Sequence, residues 1–126
     1  MGAINKILVA VDGSDNACKA VDKAIDLAEK AKASLDFVYV ASHINEHIPS
    51  EIVFNRIWEK LPEDVTARKH VETGSRSKAI LKVAKETDTD MIVMGTRGLS
   101  IFRGALIGRI SQKVIENSTV PVMVVK

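Results

Sequence analysis

The sequence predicts an α/β fold in which a parallel β-sheet carries helices on both faces. Three observations point to it. Short apolar runs read as strands, among them "SLDFVYVA" and the continuous β-branched "KILVAV", which reads as a strand buried on both faces. Between them lie segments whose apolar residues recur at helical spacing. The two types alternate along the chain as β-α-β-α-β-α-β-loop-α-β, the pattern of a parallel sheet with crossover helices.

The first strand spans Lys6 to Val11 and breaks into "DGSD". From Asp15 to Lys32 the residues Ala17, Val21, Ala24, Ile25, Ala28 and Ala31 mark the buried stripe of a helix, with Ser14 or Asp15 as its cap. The second strand runs from Ser34 to Ala41. "SHINEHIP" is a loop, and Ile52, Val53, Ile57, Trp58 and Leu61 then define a helix that Pro62 stops. "VTARKHVE" alternates weakly, as a more exposed strand does. The next helix buries Ile80, Leu81, Val83 and Ala84. Met91 to Met94 form a short central strand, a glycine-rich loop follows, a helix covers Ile110 to Asn117, and "VPVMVV" is the last strand. No linker, repeat or low-complexity segment interrupts this order, so residues 1–126 form one domain.

Composition narrows the function. Hydrophobic residues make up 46% of the chain, enough for a core, but aromatics only 4%, too few to stack a single-stranded nucleic acid. A net charge of +2 is too small for a duplex-binding surface. The lone cysteine, Cys18, allows no internal disulfide and no cysteine-rich zinc site. The N-terminal apolar run is too short for a secretory or membrane signal, and Lys6 breaks the myristoylation pattern. The expectation is a cytoplasmic protein that binds neither membrane nor nucleic acid.

The stretch "GTRGLSIFRGALIGRIS" carries the chemistry. No acid occurs from Met91 to Ile115, whereas Arg97, Arg103, Arg109 and Lys113 are all basic. Gly95 and Gly98 allow backbone N–H groups to approach an anion without Cβ interference, and Gly108 precedes a helix N-terminus. Polyphosphate is the ligand such a place suits. Ligands of open α/β sheets sit beyond the carboxyl ends of the strands, where strand order reverses. If the first and fourth strands are neighbours, "DGSD" and "GTRG" open onto one crevice.

Gly95, Gly98 and Gly108 are spaced G-x2-G-x9-G, and with "VAVDGSD" near the start and "VPVMVVK" at the end the chain resembles the universal stress protein family over essentially its whole length. The resemblance implies a doubly wound, five-stranded parallel sheet of order 3-2-1-4-5 in three α/β/α layers. It also implies the family's ATP-binding branch, whose members bind nucleotide without being efficient enzymes. By position, Val11 and Asp12 stand near the nucleoside and the backbone around Val40 against the adenine. Met94, Gly95, Arg97 and Gly98 line the ribose and phosphates, and Gly108, Arg109 and Ile110 hold the phosphates. The implied cofactor is ATP or a related adenine nucleotide, with Mg2+ or Mn2+ as cations able to accompany the phosphates. The implied partner is a second copy, joined through the strand Pro121–Val125. The chain departs from the pattern at Arg109, where that branch has Ser or Thr, and in the short segment between its second and third strands. Arg109 can pair with phosphate or fill the pocket and pair with Asp12. Ser111 offers a later cap.

The remaining residues favour plainer roles. His43 and His47 are four apart but stand in a loop with Pro49 nearby and no further ligand, Cys18 lies beside a buried stripe with no activating base, and Phe54, Ile57 and Trp58 suit a packing face. Lys78, Lys82 and Lys85 mark a solvated helix side. Asp12 serves a ribose or caps a helix. No nucleophile and base can be paired, no acid follows the fourth strand to accept a phosphoryl group, and the first loop lacks the dinucleotide fingerprint. Two functions compete: a nucleotide-binding stress protein, and a dimeric interaction protein that keeps the fold but has lost ATP through Arg109.

Overall fold

The computed structural model describes residues 3–41, 48–96 and 107–126. In chain order the elements are β1 (Lys6–Val11), α1 (Asp15–Ala31), β2 (Ser34–Ala41), α2 (Ser50–Lys60), β3 (Ala67–Thr73), α3 (Arg76–Glu86), β4 (Met91–Gly95), α4 (Arg109–Asn117) and β5 (Val122–Val125). The five strands form one sheet in the order β3-β2-β1-β4-β5, and every pairing is parallel. The expected strand order and alternation are therefore observed.

Apolar side chains alternate between two cores, one on each sheet face. Ile7, Val9, Leu35 and Phe37 pack with Ala20, Val21, Ala24 and Ala28 of α1 and Val53, Phe54 and Ile57 of α2. Leu8, Val38, Ile92 and Met94 pack with Ala79, Ile80 and Val83 of α3 and Val114 of α4. Layers thus form on both sides because β1, β2 and β4 are apolar at successive positions. Ala31 is exposed, contrary to expectation, since α1 ends there and Lys32 turns left-handed at φ 57°. Ala20 belongs to the buried stripe. Trp58 is 37% exposed, yet it meets Phe37 and Phe54 edge-on at 5.6 and 6.1 Å.

One residue breaks the apolar rule. Asp36 on β2 is fully buried on the α3 face, where Val38 and Leu8 also point. Its Oδ1 accepts hydrogen bonds from Arg68 Nε at 3.0 Å and His70 Nε2 at 2.8 Å, both on the edge strand β3. A buried carboxylate is tolerated only where such partners satisfy it. The pattern of β3 is too weakly apolar to set its own register, and Asp36 supplies that setting. Beyond it, Lys82 of α3 bonds Glu72 of β3 at 3.1 Å, and that bond raises the lysine pKa.

At the other end of the sheet, α1 approaches β4 closely. A Cβ on Gly95 would lie 2.9 Å from the backbone carbon, the carbonyl oxygen and the Cβ of Asn16. Real side chains do not come so near, so only glycine lets the first turn of α1 settle there.

Two stability predictions follow from these contacts. Gly95→Ala forces backbone atoms apart and costs about 1–3 kcal/mol, as overpacking does; an unchanged urea midpoint would contradict it. Arg68→Ala with His70→Ala strands the Asp36 carboxylate and costs roughly 3–5 kcal/mol. Adding Asp36→Leu to that pair recovers most of the loss, because nothing charged then remains inside. Urea melts of the three proteins check both statements, and a double variant as stable as the parent would refute the second.

Candidate functional site

The sequence "DGSD" folds as a compact turn. The Ser14 N–H donates to Asp12 Oδ1 at 2.9 Å, Gly13 takes φ +85°, and Ser14 Oγ accepts from the Ala17 N–H at 3.2 Å. Each residue type is suited to its step: a carboxylate to close an Asx turn, glycine for positive φ, serine to cap α1. Of the two candidate caps, Ser14 is the one used. The Asp12 carboxylate thus shapes this turn, whatever else it contacts.

β1 pairs directly with β4, so the condition for a crevice shared by their carboxyl ends is met, although the loop that follows Thr96 lies outside the described residues. β1 and β4 also mark the place where strand order reverses, since β2 and β3 continue on one side and β5 on the other. Val11 and Asp12 end β1, Met94 and Gly95 end β4, and Val40 lies near the end of β2. The side chains of Val11, Val40 and Met94 are buried in the two cores, so any part they take in binding falls to their backbone.

α4 completes the site. It begins at Arg109, one residue earlier than expected, with Gly108 as its N-cap and no side chain capping it. The Gly108 N–H donates to the Thr96 carbonyl at 2.6 Å. The first turn of the helix closes where Gln112 N–H meets the Gly108 carbonyl at 3.0 Å, so the N–H groups of Arg109, Ile110 and Ser111 stand ahead of it. No acid occupies that turn. The partial positive charge of the helix N-terminus therefore meets no carboxylate within its own first turn.

Several expectations need restating. Gly95 is glycine to admit Asn16, and this packing accounts for it without any anion. Ser111 is not a cap: its hydroxyl donates to the Gly95 carbonyl at 2.8 Å. Arg109 is exposed, and none of the ion pairs among the described residues joins it to Asp12. Arg97, Gly98 and Arg103, like His43 and His47, lie outside the described residues. Cys18 lines a narrow cleft between α1 and α2 with Val11, Ala17, Val21, Val53 and Ile57, and Arg56 and Lys60 also border it. Among the described residues no three of His, Cys, Asp and Glu gather as a metal site, and no helix is long and apolar enough to cross a membrane.

Sequence reasoning missed Asn16 and Thr96, and misassigned Ser111. A serine three positions past an N-cap glycine is a signal, but it fits an ordinary capping motif equally well.

Known proteins share this fold. A solved universal stress protein in complex with cAMP superposes with a TM-score of 0.78 at 25% identity, covering 99% of this chain and 98% of that one. A universal stress protein from Archaeoglobus fulgidus in complex with dAMP, at 22% identity, has the same fold with a TM-score of 0.71 over 99% and 100% of the two chains. The universal stress protein YxiE of Bacillus subtilis is 34% identical over 97% of this chain and 99% of its own. The profile of the Universal stress protein family matches residues 3–54 and 57–126. On fold, sequence and extent of match, this chain belongs to the universal stress protein family.

Proposed function

We propose that the protein binds ATP or a related adenine nucleotide in the crevice between β1, β4 and α4, and serves a cytoplasmic stress response by nucleotide-dependent conformation or partner binding. The observation that carries this reading is the uncapped, acid-free first turn of α4 at the reversal of strand order, preceded in the sequence by a segment that holds Arg97 and Arg103 and no acid. Such a turn is a ready site for phosphate. The family relative in complex with cAMP supports an adenine nucleotide as the ligand class. With no nucleophile and base in view, the role is binding rather than turnover.

One set of facts favours the alternative, a nucleotide-free interaction protein. Gly95 is explained by packing and the Gly108 N–H already has an acceptor, so two motif glycines have duties in the folded chain itself. The Arg109 position separates the readings. A small hydroxyl there would donate to phosphate; a long guanidinium gives charge in place of that short contact.

Calorimetry decides. Wild type is expected to bind ATP, Gly108→Val to lose binding, and Arg109→Ser to bind roughly 3- to 10-fold tighter, the worth of one hydrogen bond. Absence of adenine-nucleotide binding in both wild type and the serine variant would leave the alternative standing.

The same proposal includes a homodimer through β5. The two edges of the sheet differ in character. β3 carries Arg68, engaged with Asp36, and Lys69, whose Nζ lies 5.3 Å from the Trp58 ring centre, so charge guards that edge. β5 offers Val122, Met123, Val124 and Val125 with no charge before Lys126. Pro121 precedes the strand, and its carbonyl accepts from the Ile92 N–H at 3.0 Å. Two β5 edges meeting antiparallel about a two-fold axis would satisfy each other's backbone groups. Light scattering is expected to give a dimer for wild type and a monomer for Val122→Lys with Val124→Lys; a wild-type monomer at micromolar concentration would refute the pairing.

A further inference from the structure

α4 lacks the side-chain cap that helices ordinarily use, so something else must hold its first turn in place. Two hydrogen bonds do so, and both end on β4 or the residue after it. Gly95 and Thr96 are consecutive, and their carbonyls receive the Ser111 hydroxyl at 2.8 Å and the Gly108 N–H at 2.6 Å. Gly108 and Ser111 are the N-cap and the third residue of α4. One bond therefore fixes the start of the helix and the other fixes it almost one turn further on. Two points of attachment set a direction, where a single one would leave the turn free to pivot.

Ser111 is 3% exposed and Gly95 is buried, so no water stands ready to replace the hydroxyl if it is removed. The Gly95 carbonyl would lose the side-chain donor that links it to α4. Because the Gly95 position is itself immobilised by Asn16, this carbonyl is a firm reference point. Through it the packing of α1 on β4 is passed to α4.

We propose that Ser111 is a positioning residue for the phosphates of the bound nucleotide: its bond to the Gly95 carbonyl aims the Arg109 and Ile110 N–H groups into the crevice, although its own hydroxyl does not contact the ligand. This inference rests on the nucleotide reading given above. It also makes a distinction that a general loss of stability does not. The nucleoside belongs to the ends of β1 and β2, which Ser111 does not touch, whereas the phosphates belong to α4. Removing the hydroxyl must weaken ATP selectively and leave adenosine alone.

The test compares affinities for ATP and adenosine by calorimetry at a temperature where each variant is folded. In wild type ATP binds more tightly than adenosine. In Ser111→Ala the ATP affinity falls about tenfold, the scale of a small misplacement of binding groups, while adenosine stays within about twofold. Ser111→Thr keeps the hydroxyl and restores the ATP preference. Ser111→Cys, close in size but a weaker donor, shows the same selective loss to a lesser degree and serves if the alanine variant does not fold. Equal losses for ATP and adenosine, or an unchanged ratio, would overturn the positioning role. Wild type that binds adenosine no less tightly than ATP would overturn it too, by removing the phosphate anchor. Binding of neither by wild type defeats the nucleotide reading itself, and this inference with it.

Discussion

The first turn of α1 rests against the end of β4 at a distance that leaves no space for a methyl group, and this contact between Asn16 and Gly95 governs the geometry where α1, β4 and α4 meet. It sets α1, and with it the "DGSD" turn that leads into the helix, beside the last residues of β4. From there the Gly95 and Thr96 carbonyls set α4. A backbone approach thus governs the three elements that border the crevice. Side-chain chemistry is laid on afterwards.

The opposite half of the sheet is held differently. β3 is an edge strand with few apolar residues to bury, and its attachment depends on a charge that is fully removed from water. Placing Asp36 inside would be costly alone, and its cost is offset only when Arg68 and His70 of β3 lie in the right register. Such an arrangement specifies one pairing more sharply than it stabilises it. The contrast with β5 is physical: one edge is committed to an internal ion pair and carries cations, and the other presents a run of valine and methionine.

Most of the architecture was legible in the sequence because the central strands are buried on both faces and read as unbroken apolar runs. Strand limits at β1 and β2 agree with the residues, and Ser14 acts as the cap its side chain suggests. β3 begins at Ala67, after a turn in which the Val65 N–H donates to the Pro62 carbonyl, so the apolar Val65 misled the reading by two residues. Strand order came from the family resemblance, since periodicity says nothing of which strands are neighbours. The site was legible as a pair of loops and much less as an arrangement of atoms. Gly95 fits a phosphate motif and a packing contact alike, and only the position of Asn16, seventy-nine residues away, tells them apart. Ser111 likewise has a local explanation as a cap and a different, long-range bond. Asp36 looked unexceptional in its strand because its partners come 32 and 34 residues later.

Under the proposed function an adenine nucleotide binds in one place, at the ends of β1 and β4 and the start of α4. Backbone amide shifts report this residue by residue. In a titration of the isotopically labelled protein with ATP, the amides of Asp12, Gly13, Thr96, Arg109 and Ile110 should move together along one saturable curve, while those of β3 stay still. Shifts confined to other surfaces, or none at all at saturating ATP, would contradict it.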